Sequence, residues 1–196
     1  MVGLHGSPLR KPYSIACAPW EFAKTGVLQL LAQVDDTGAP DPHLELAAPG
    51  AEIDLEGPFG TFRLPPDYAE RPLLFLAGGT GIAPLRSMLV EHLSGPARQP
   101  VALIYSARSG EEFAFRTELN ALETAGRITT YFTVTRDEKA DWPGRRGRIS
   151  EALLAEALPS PVSTCFICGP PQLVTDATTV LVKLGVTGDR VLTEKY

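Results

Sequence analysis

The sequence has little that would cross-link, anchor or export the chain. Its three cysteines, Cys17, Cys165 and Cys168, are too few and odd in number for a disulfide framework. No apolar run approaches the roughly 20 residues that a membrane-spanning helix requires. Residues 1–6 show neither the basic segment nor the apolar segment of a secretory signal. A reducing, cytoplasmic setting without a membrane partner is therefore expected.

Positive charge is also scarce. Lys and Arg number 18 against 23 Asp and Glu, which gives a net charge of -5. Nucleic acid is therefore excluded as the main partner, because phosphate binding requires a cationic surface. The histidines are scattered, and Cys165 and Cys168 have no second cysteine pair, so no metal site is predicted. The 196 residues are 44% hydrophobic, which is enough for a buried core.

The first part of the chain, residues 1–66, consists of short β-like segments broken by glycine and proline. Strands are predicted at 2–5, 13–17, 27–34, 53–55 and 61–64. Several short strands without a long helix are typical of an antiparallel barrel or sandwich.

The second part, residues 67–196, alternates between apolar runs and helical patterns. Strands are predicted at 73–77, 101–106, 128–134, 164–168 and 191–193, and helices at 83–93, 115–125, 150–157 and 171–184. This alternation predicts an α/β domain with a parallel sheet. The predicted fold therefore has two domains, 1–66 and 67–196, joined by a linker at 65–72.

A glycine turn, Gly78-Gly79-Thr80-Gly81, follows the first predicted parallel strand and opens a helix. Glycines allow a pyrophosphate to approach the backbone, and the helix start supplies N–H donors. The spacing departs from the usual dinucleotide fingerprint. A tight strand-to-helix turn without a ligand therefore stays open as an alternative.

Five motifs follow one another along the chain: Tyr13-Ser14-Ile15-Ala16, Gly57-Pro58-Phe59-Gly60-Thr61-Phe62, the turn that begins at Gly78, Cys168-Gly169-Pro170-Pro171 and Glu194-Lys195-Tyr196. In this order they resemble the ferredoxin–NADP reductase superfamily of FAD- and NAD(P)-binding oxidoreductases. The resemblance covers essentially the whole chain. It implies an antiparallel FAD-binding barrel followed by a parallel-sheet NAD(P)-binding domain.

The resemblance implies a role for each of several residues. Tyr13 would stack on the isoalloxazine, and Ser14 would lie near its N5 atom. Tyr196 would cover the opposite face and swing aside for the nicotinamide. Cys168 would lie beside the nicotinamide C4, and Glu194 would be the carboxylate of the same pocket. These roles make Ser14, Cys168, Glu194 and Tyr196 the expected catalytic residues.

Further cofactor-binding residues follow from the same motifs. The flavin side would include Lys11, Pro12 and Ile15. The pyrophosphate would lie against Gly78, Gly79, Thr80 and Gly81, and the nicotinamide side would include Gly169 and Pro170. Arg108 and Arg136 follow two parallel strands where the family meets the adenosine ribose, and they favour NADPH over NADH. Solvated loop charges remain the alternative for both arginines.

The beginning of the chain departs from the family. Only twelve residues precede Tyr13, so the first barrel strands are missing from the sequence. Three explanations stay open: the recorded start is too late, a second copy of the chain completes the barrel, or the partial barrel rearranges. Residues 38–41 also lack the hydroxyl residue that the family often has in a phosphate-binding turn. Weakened FAD binding and self-association are expected.

The function implied is transfer of hydride from NAD(P)H to FAD and then of single electrons to a carrier. The chain lacks an iron–sulfur cysteine cluster, so a ferredoxin, a flavodoxin or an oxygenase component would have to accept the electrons. Two alternatives remain open: reduction of free flavin as a substrate, and a non-catalytic NAD(P)-binding module with a decayed flavin site.

Overall fold

The computed structural model describes residues 1–33, 42–96, 98–136 and 142–196. These residues form a two-stranded antiparallel sheet followed by a six-stranded parallel sheet. This is the predicted fold class, an incomplete barrel followed by an α/β parallel-sheet domain. The predicted turn at 38–41 and the end of the predicted strand 27–34 lie outside the described residues.

The small sheet pairs β1 (Val2–Leu4) with β2 (Ile53–Leu55) in antiparallel register. These two strands confirm the predictions at 2–5 and 53–55. The helix α1 (Pro19–Thr25) follows between them in the chain. Its first turn contains Pro19, which is tolerated there because the N–H groups of the first turn have no partner within the helix. The helix ends at Gly26, which adopts the left-handed conformation with φ 68°.

Three of the strands predicted in the first part are wrong. The segment 13–17 forms only an isolated bridge, between Ile15 and Leu30, and the described residues of 27–34 form no strand beyond that bridge. The segment 61–64 is bent and unpaired. All three have strand-like composition, but a strand forms only where a neighbouring strand supplies the hydrogen-bond ladder.

The strands of the parallel sheet are β3 (Leu73–Gly78), β4 (Val101–Ala107), β5 (Thr129–Val134), β6 (Arg145–Arg146), β7 (Thr164–Gly169) and β8 (Val191–Lys195). Their order across the sheet is β6-β5-β4-β3-β7-β8. The helices are α2 (Ile82–Ser94), α3 (Arg116–Thr124), α4 (Glu151–Ala157) and α5 (Pro171–Lys183). Every strand and helix predicted in this part is confirmed to within two residues at each end. The two-residue strand β6 was missed because two arginines carry no apolar pattern.

Helices cover both faces of this sheet. Leu73 and Phe75 point to the face covered by α2 and α3, and Leu74 and Leu76 point to the face covered by α4 and α5. All six residues of β3 are buried, as expected of a strand with helices on both sides. None of the described helices is long and apolar enough to cross a membrane.

The strand order places a crevice at the centre of the sheet. The chain runs outward from β3 through β4, β5 and β6, then returns to the other side of β3 as β7 and β8. The carboxyl ends of β3 and β7 are therefore neighbours at a topological switch point. In open α/β sheets, ligands bind beyond the carboxyl ends of the strands at this point.

Candidate active site

Two glycine-containing turns are in direct backbone contact at the switch point. A Cβ on Gly81, after β3, would lie 2.2 Å from the carbonyl oxygen of Cys168 in β7. A Cβ on Gly169 would lie 3.2 Å from the Cα of Gly78. A side chain at Gly81 would therefore collide with the backbone of the facing turn, and one at Gly169 would crowd it. Gly79 differs, because it adopts the left-handed conformation at φ 52°.

Cys168 lies at this junction with its side chain toward the next strand. It pairs in register with Glu194 of β8, and its Sγ donates a hydrogen bond to Glu194 Oε2 at 3.8 Å. Burial, together with the neighbouring Glu194 carboxylate, raises the pKa of the Cys168 thiol to about 12. Cys168 therefore remains a neutral thiol at physiological pH.

Ser14 brings the first part of the chain to the same carboxylate. Its Oγ donates to Glu194 Oε2 at 3.4 Å, across 180 residues of sequence. The Glu194 carboxylate thus accepts hydrogen bonds from Ser14 and from Cys168, and all three side chains are at least partly buried. The structure therefore brings together three of the four expected catalytic residues around one oxygen atom.

Tyr196, the fourth expected catalytic residue, reaches across to the glycine turn. Its Oη donates to the carbonyl oxygen of Gly78 at 2.5 Å, and the residue is 56% exposed. A Cβ on Gly79 would lie 2.8 Å from the same Oη. Burial of the hydroxyl raises the pKa of Tyr196. The phenol therefore stays protonated and lies against the turn expected to hold the pyrophosphate.

The other expected cofactor residues fall into three places. Lys11 pairs with Val2 through an antiparallel bridge, and Pro12, Tyr13 and Ile15 continue the chain from there to Ser14. Thr80 lies in the glycine turn, and Pro170 precedes the first residue of α5.

Arg108 and Arg136 are neighbours at the carboxyl ends of β4 and β5. The Arg136 N–H donates to the Arg108 carbonyl oxygen at 2.8 Å, and both residues are exposed. The Arg108 N–H in turn donates to the Glu112 carboxylate at 3.3 Å. The backbones of Arg108 and Arg136 are therefore adjacent, with the Glu112 carboxylate next to them.

Sequence reasoning missed a buried ionic cluster between the two parts of the chain. Arg86 of α2 is only 6% exposed and pairs with Glu21 at 2.6 Å and Glu118 at 2.8 Å. Burial alone would lower the pKa of Arg86, but the hydrogen bonds to both carboxylates outweigh it and the net pKa is raised. The sequence feature that could have indicated this cluster is an arginine next to the apolar positions Leu85 and Leu89, which are buried in α2.

The two cysteines of β7 lie on opposite faces of the strand. Cys165 packs on the face covered by α4 and α5, whereas Cys168 packs on the opposite face. Their side chains therefore point away from each other. Within 1–33, 42–96, 98–136 and 142–196, no group of three or more His, Cys, Asp or Glu side chains is placed to hold a metal ion.

A glycine turn at the switch point of a parallel sheet, opening a helix, is the arrangement in which doubly wound α/β folds bind dinucleotides. Residues 75–179 match the family model described as the oxidoreductase NAD-binding domain. The chain is 34% identical to ferredoxin–NADP reductase B of Sorangium cellulosum (strain So ce56), over 98% of this chain and 80% of that protein. The chain therefore belongs to the ferredoxin–NADP reductase family.

Two further similarities extend this comparison. The chain is 30% identical to the electron transfer component of the xylene/toluene monooxygenase of Pseudomonas putida, over 75% of this chain and 42% of that protein. The fold matches the ferredoxin reductase in carbazole 1,9a-dioxygenase with a TM-score of 0.83 at 23% identity, over 99% of this chain and 58% of that one. The chain thus spans about half the length of these two proteins.

Proposed function

We propose that this chain is an NAD(P)H-dependent flavoprotein reductase that delivers electrons to a ferredoxin, a flavodoxin or an oxygenase component. The observation that carries the proposal is the junction of Ser14, Cys168 and Glu194, where the two parts of the chain share one carboxylate. The names of the relatives, a ferredoxin–NADP reductase and a monooxygenase electron transfer component, support the class of acceptor.

In this proposal a flavin lies on one side of the junction of Ser14, Cys168 and Glu194, and a nicotinamide lies on the other side. Tyr13 and Ser14 would hold the flavin, with Lys11, Pro12 and Ile15 beside them. The turn from Gly78 to Gly81 would hold the pyrophosphate of the dinucleotide, with Gly169 and Pro170 nearby. FAD, when bound, supplies the ability to accept a hydride and to release its electrons singly. We propose residue 66 as the boundary between the flavin-binding part and the nicotinamide-binding part.

Glu194 and Cys168 would lie beside the reacting ring of a bound nicotinamide. The Glu194 carboxylate would supply a negative charge near that ring, which is positively charged once its hydride has been transferred. The neutral Cys168 thiol would fill the space beside the ring without adding a second negative charge. Ser14 keeps its proton on Oγ and directs it to Glu194, which fixes the orientation of that carboxylate.

Tyr196 closes the nicotinamide side until the substrate arrives. Its hydroxyl bonds to Gly78 in the turn that the dinucleotide would use. Entry of the nicotinamide would break this hydrogen bond and move the aromatic ring aside.

The proposal is tested by oxidation of NADPH with ferricyanide as the artificial acceptor, using chain loaded with FAD. We expect Glu194→Gln to lower kcat roughly 100-fold, the scale seen when one charge-stabilising group is removed from an active site. Glu151→Gln is the matched control, because Glu151 pairs with Lys183 at 2.6 Å on the outer surface. Equal activity of Glu194→Gln and the wild-type chain would contradict the proposal.

The same assay distinguishes the two alternatives. Activity that depends on a continued supply of free flavin, with none retained by the protein, would identify a free-flavin reductase. Failure of the FAD-loaded wild-type chain to oxidise either NADPH or NADH would identify a non-catalytic module.

A further inference from the structure

We infer that Arg86 is a positioning residue that fixes the flavin-side strand of the active site against the nicotinamide-side domain. The inference rests on the proposed function, since this spacing matters for chemistry only if a hydride crosses the junction. Arg86 lies on α2, the helix that begins directly after the glycine turn. Its guanidinium contacts groups that come from the first part of the chain.

The guanidinium of Arg86 uses all five of its N–H groups. Nε donates to Glu118 Oε2 at 3.0 Å, and Nη2 donates to Glu118 Oε1 at 2.8 Å. The second Nη2 hydrogen and one from Nη1 bond to the two oxygens of Glu21, at 2.9 and 2.6 Å. The remaining Nη1 hydrogen bonds to the Ala16 carbonyl oxygen at 3.0 Å. Each carboxylate is thus held by two donors, which only a planar guanidinium provides.

The segment next to Ser14 is held to α2 at three successive residues. Arg86 binds the carbonyl oxygen of Ala16, and the Ser87 hydroxyl donates to the carbonyl oxygen of Cys17 at 2.8 Å. The Ala18 N–H donates at 2.8 Å to the Glu21 oxygen that Arg86 also binds. Ala16, Cys17 and Ala18 are at most 3% exposed. This segment therefore moves with α2 and not independently of it.

Ser14 lies two residues before this fixed segment. Ser14 itself reaches the nicotinamide side through the 3.4 Å hydrogen bond to Glu194. Because α2 also begins at the glycine turn, one rigid helix sets the position of both the flavin-side strand and the nucleotide turn. Misplacement of reacting groups by about 1 Å lowers enzymatic rates on the order of 100-fold. Weakening the hydrogen bond from Arg86 to the Ala16 carbonyl oxygen is therefore expected to slow hydride transfer.

The informative substitution is Arg86→Lys. Lysine keeps the positive charge between Glu21 and Glu118, so the two carboxylates are not left facing each other without a cation. It offers three donors on a flexible stem in place of five in a fixed plane. The matched control is Arg127→Lys, since Arg127 also makes a long-range bond, to the Leu93 carbonyl oxygen at 2.8 Å, but does not contact the segment before α1.

The experiment follows reduction of the FAD-loaded full chain by NADPH in rapid mixing. Arg86→Lys is expected to lower the limiting rate of flavin reduction at least tenfold and to change the Kd for NADPH less than twofold. Arg127→Lys is expected to keep both values within twofold of the wild-type chain. A wild-type rate in Arg86→Lys, or a loss of rate that is matched by a loss of NADPH affinity, would overturn the inference.

Hydrogen–deuterium exchange provides a readout that does not depend on activity. Amides in 13–18 are expected to exchange faster in Arg86→Lys than in the wild-type chain and Arg127→Lys, while β3 and β7 stay protected. Unchanged exchange in 13–18 would overturn the inference, as would loss of protection throughout the parallel sheet, which would mark Arg86 as a general stability element. If the wild-type chain does not oxidise NADPH, the proposed function fails, but the exchange result still tests the contact.

Discussion

Gly81→Ala is the substitution for which the structure predicts the largest effect from a single carbon atom. The new Cβ would lie 2.2 Å from the carbonyl oxygen of Cys168 and 2.6 Å from its carbonyl carbon. Optimal contacts between carbon atoms are about 3.5–4.0 Å, so the two turns would have to separate by roughly 1 Å. Both contacts are with backbone, which cannot rotate away as a side chain does.

The expected loss of stability in Gly81→Ala comes from a steric clash and not from backbone strain. Gly81 has φ -59° and ψ -10°, values that alanine adopts without strain. Overpacking of a tightly packed site destabilises by about 1–3 kcal/mol and occasionally more. Because the contact is with backbone, we expect about 3 kcal/mol, which lowers Tm by roughly 6–12 °C in a chain of this size. The displaced strand end carries Cys168, so NADPH oxidation should fall as well.

Thermal unfolding monitored by circular dichroism measures this effect. Gly188→Ala is the matched control, because a Cβ there has no heavy atom within 4 Å and the residue is not left-handed. We expect that control to leave Tm unchanged or to raise the free energy of unfolding by up to about 1 kcal/mol. A Tm for Gly81→Ala at or above that of the wild-type chain would refute the close packing of the two turns.

Two further predictions concern a buried thiol and the nucleotide preference. Burial raises the pKa of Cys165 to about 12, so above about pH 9 the unfolded chain loses a proton that the folded chain keeps. Titration of this thiol should then lower the free energy of unfolding by about 1 kcal/mol per pH unit. Urea unfolding at several pH values should show a smaller decrease of this free energy with pH in Cys165→Ser than in the wild-type chain. Equal decreases in the two proteins would contradict the prediction. Arg136→Gln should raise the KM for NADPH about tenfold and leave that for NADH unchanged, because one charge-assisted hydrogen bond to a phosphate contributes about 1.5–3 kcal/mol. A lower KM for NADH than for NADPH in the wild-type chain would show that Arg108 and Arg136 do not select the phosphate.

The parallel sheet was predictable because its strands are buried on both faces. The segments 73–78 and 164–169 read as continuous apolar runs, and each is bounded by glycine or proline. Such runs alternate with helical patterns in a βαβ fold, so the length of each run identifies its type. Ser150 marked the start of α4 correctly, since its side chain accepts a hydrogen bond from the Leu153 N–H.

The first part of the chain was harder to predict because strand pairing depends on distant residues. Composition favours a strand at 13–17, yet the only ladder among the described residues of this part joins β1 to β2. The helix α1 was missed because a proline after a strand-like segment is typical of a turn, whereas Pro19 occupies the first turn of a helix. Local composition does not distinguish a paired strand from an unpaired segment, or a turn from the first turn of a helix.

The candidate site was predictable only in part. The grouping of Ser14, Cys168 and Glu194 came from the resemblance to a family, because spacing alone does not bring together residues up to 180 positions apart. Arg86 was missed for the same reason, since its partners Glu21 and Glu118 lie 65 and 32 positions away. An arginine in an apolar stretch of helix signals a buried partner but does not identify it.

The visible absorption of the purified chain, incubated with FAD, desalted and then mixed with NADPH without oxygen, tests the central claim most directly. The account predicts that a flavin spectrum is retained and that it bleaches on addition of NADPH. It also predicts that bleaching is slower in Glu194→Gln than in the wild-type chain. A flavin that is retained but stays oxidised in the presence of both NADPH and NADH would contradict the proposed hydride transfer at the junction of Ser14, Cys168 and Glu194.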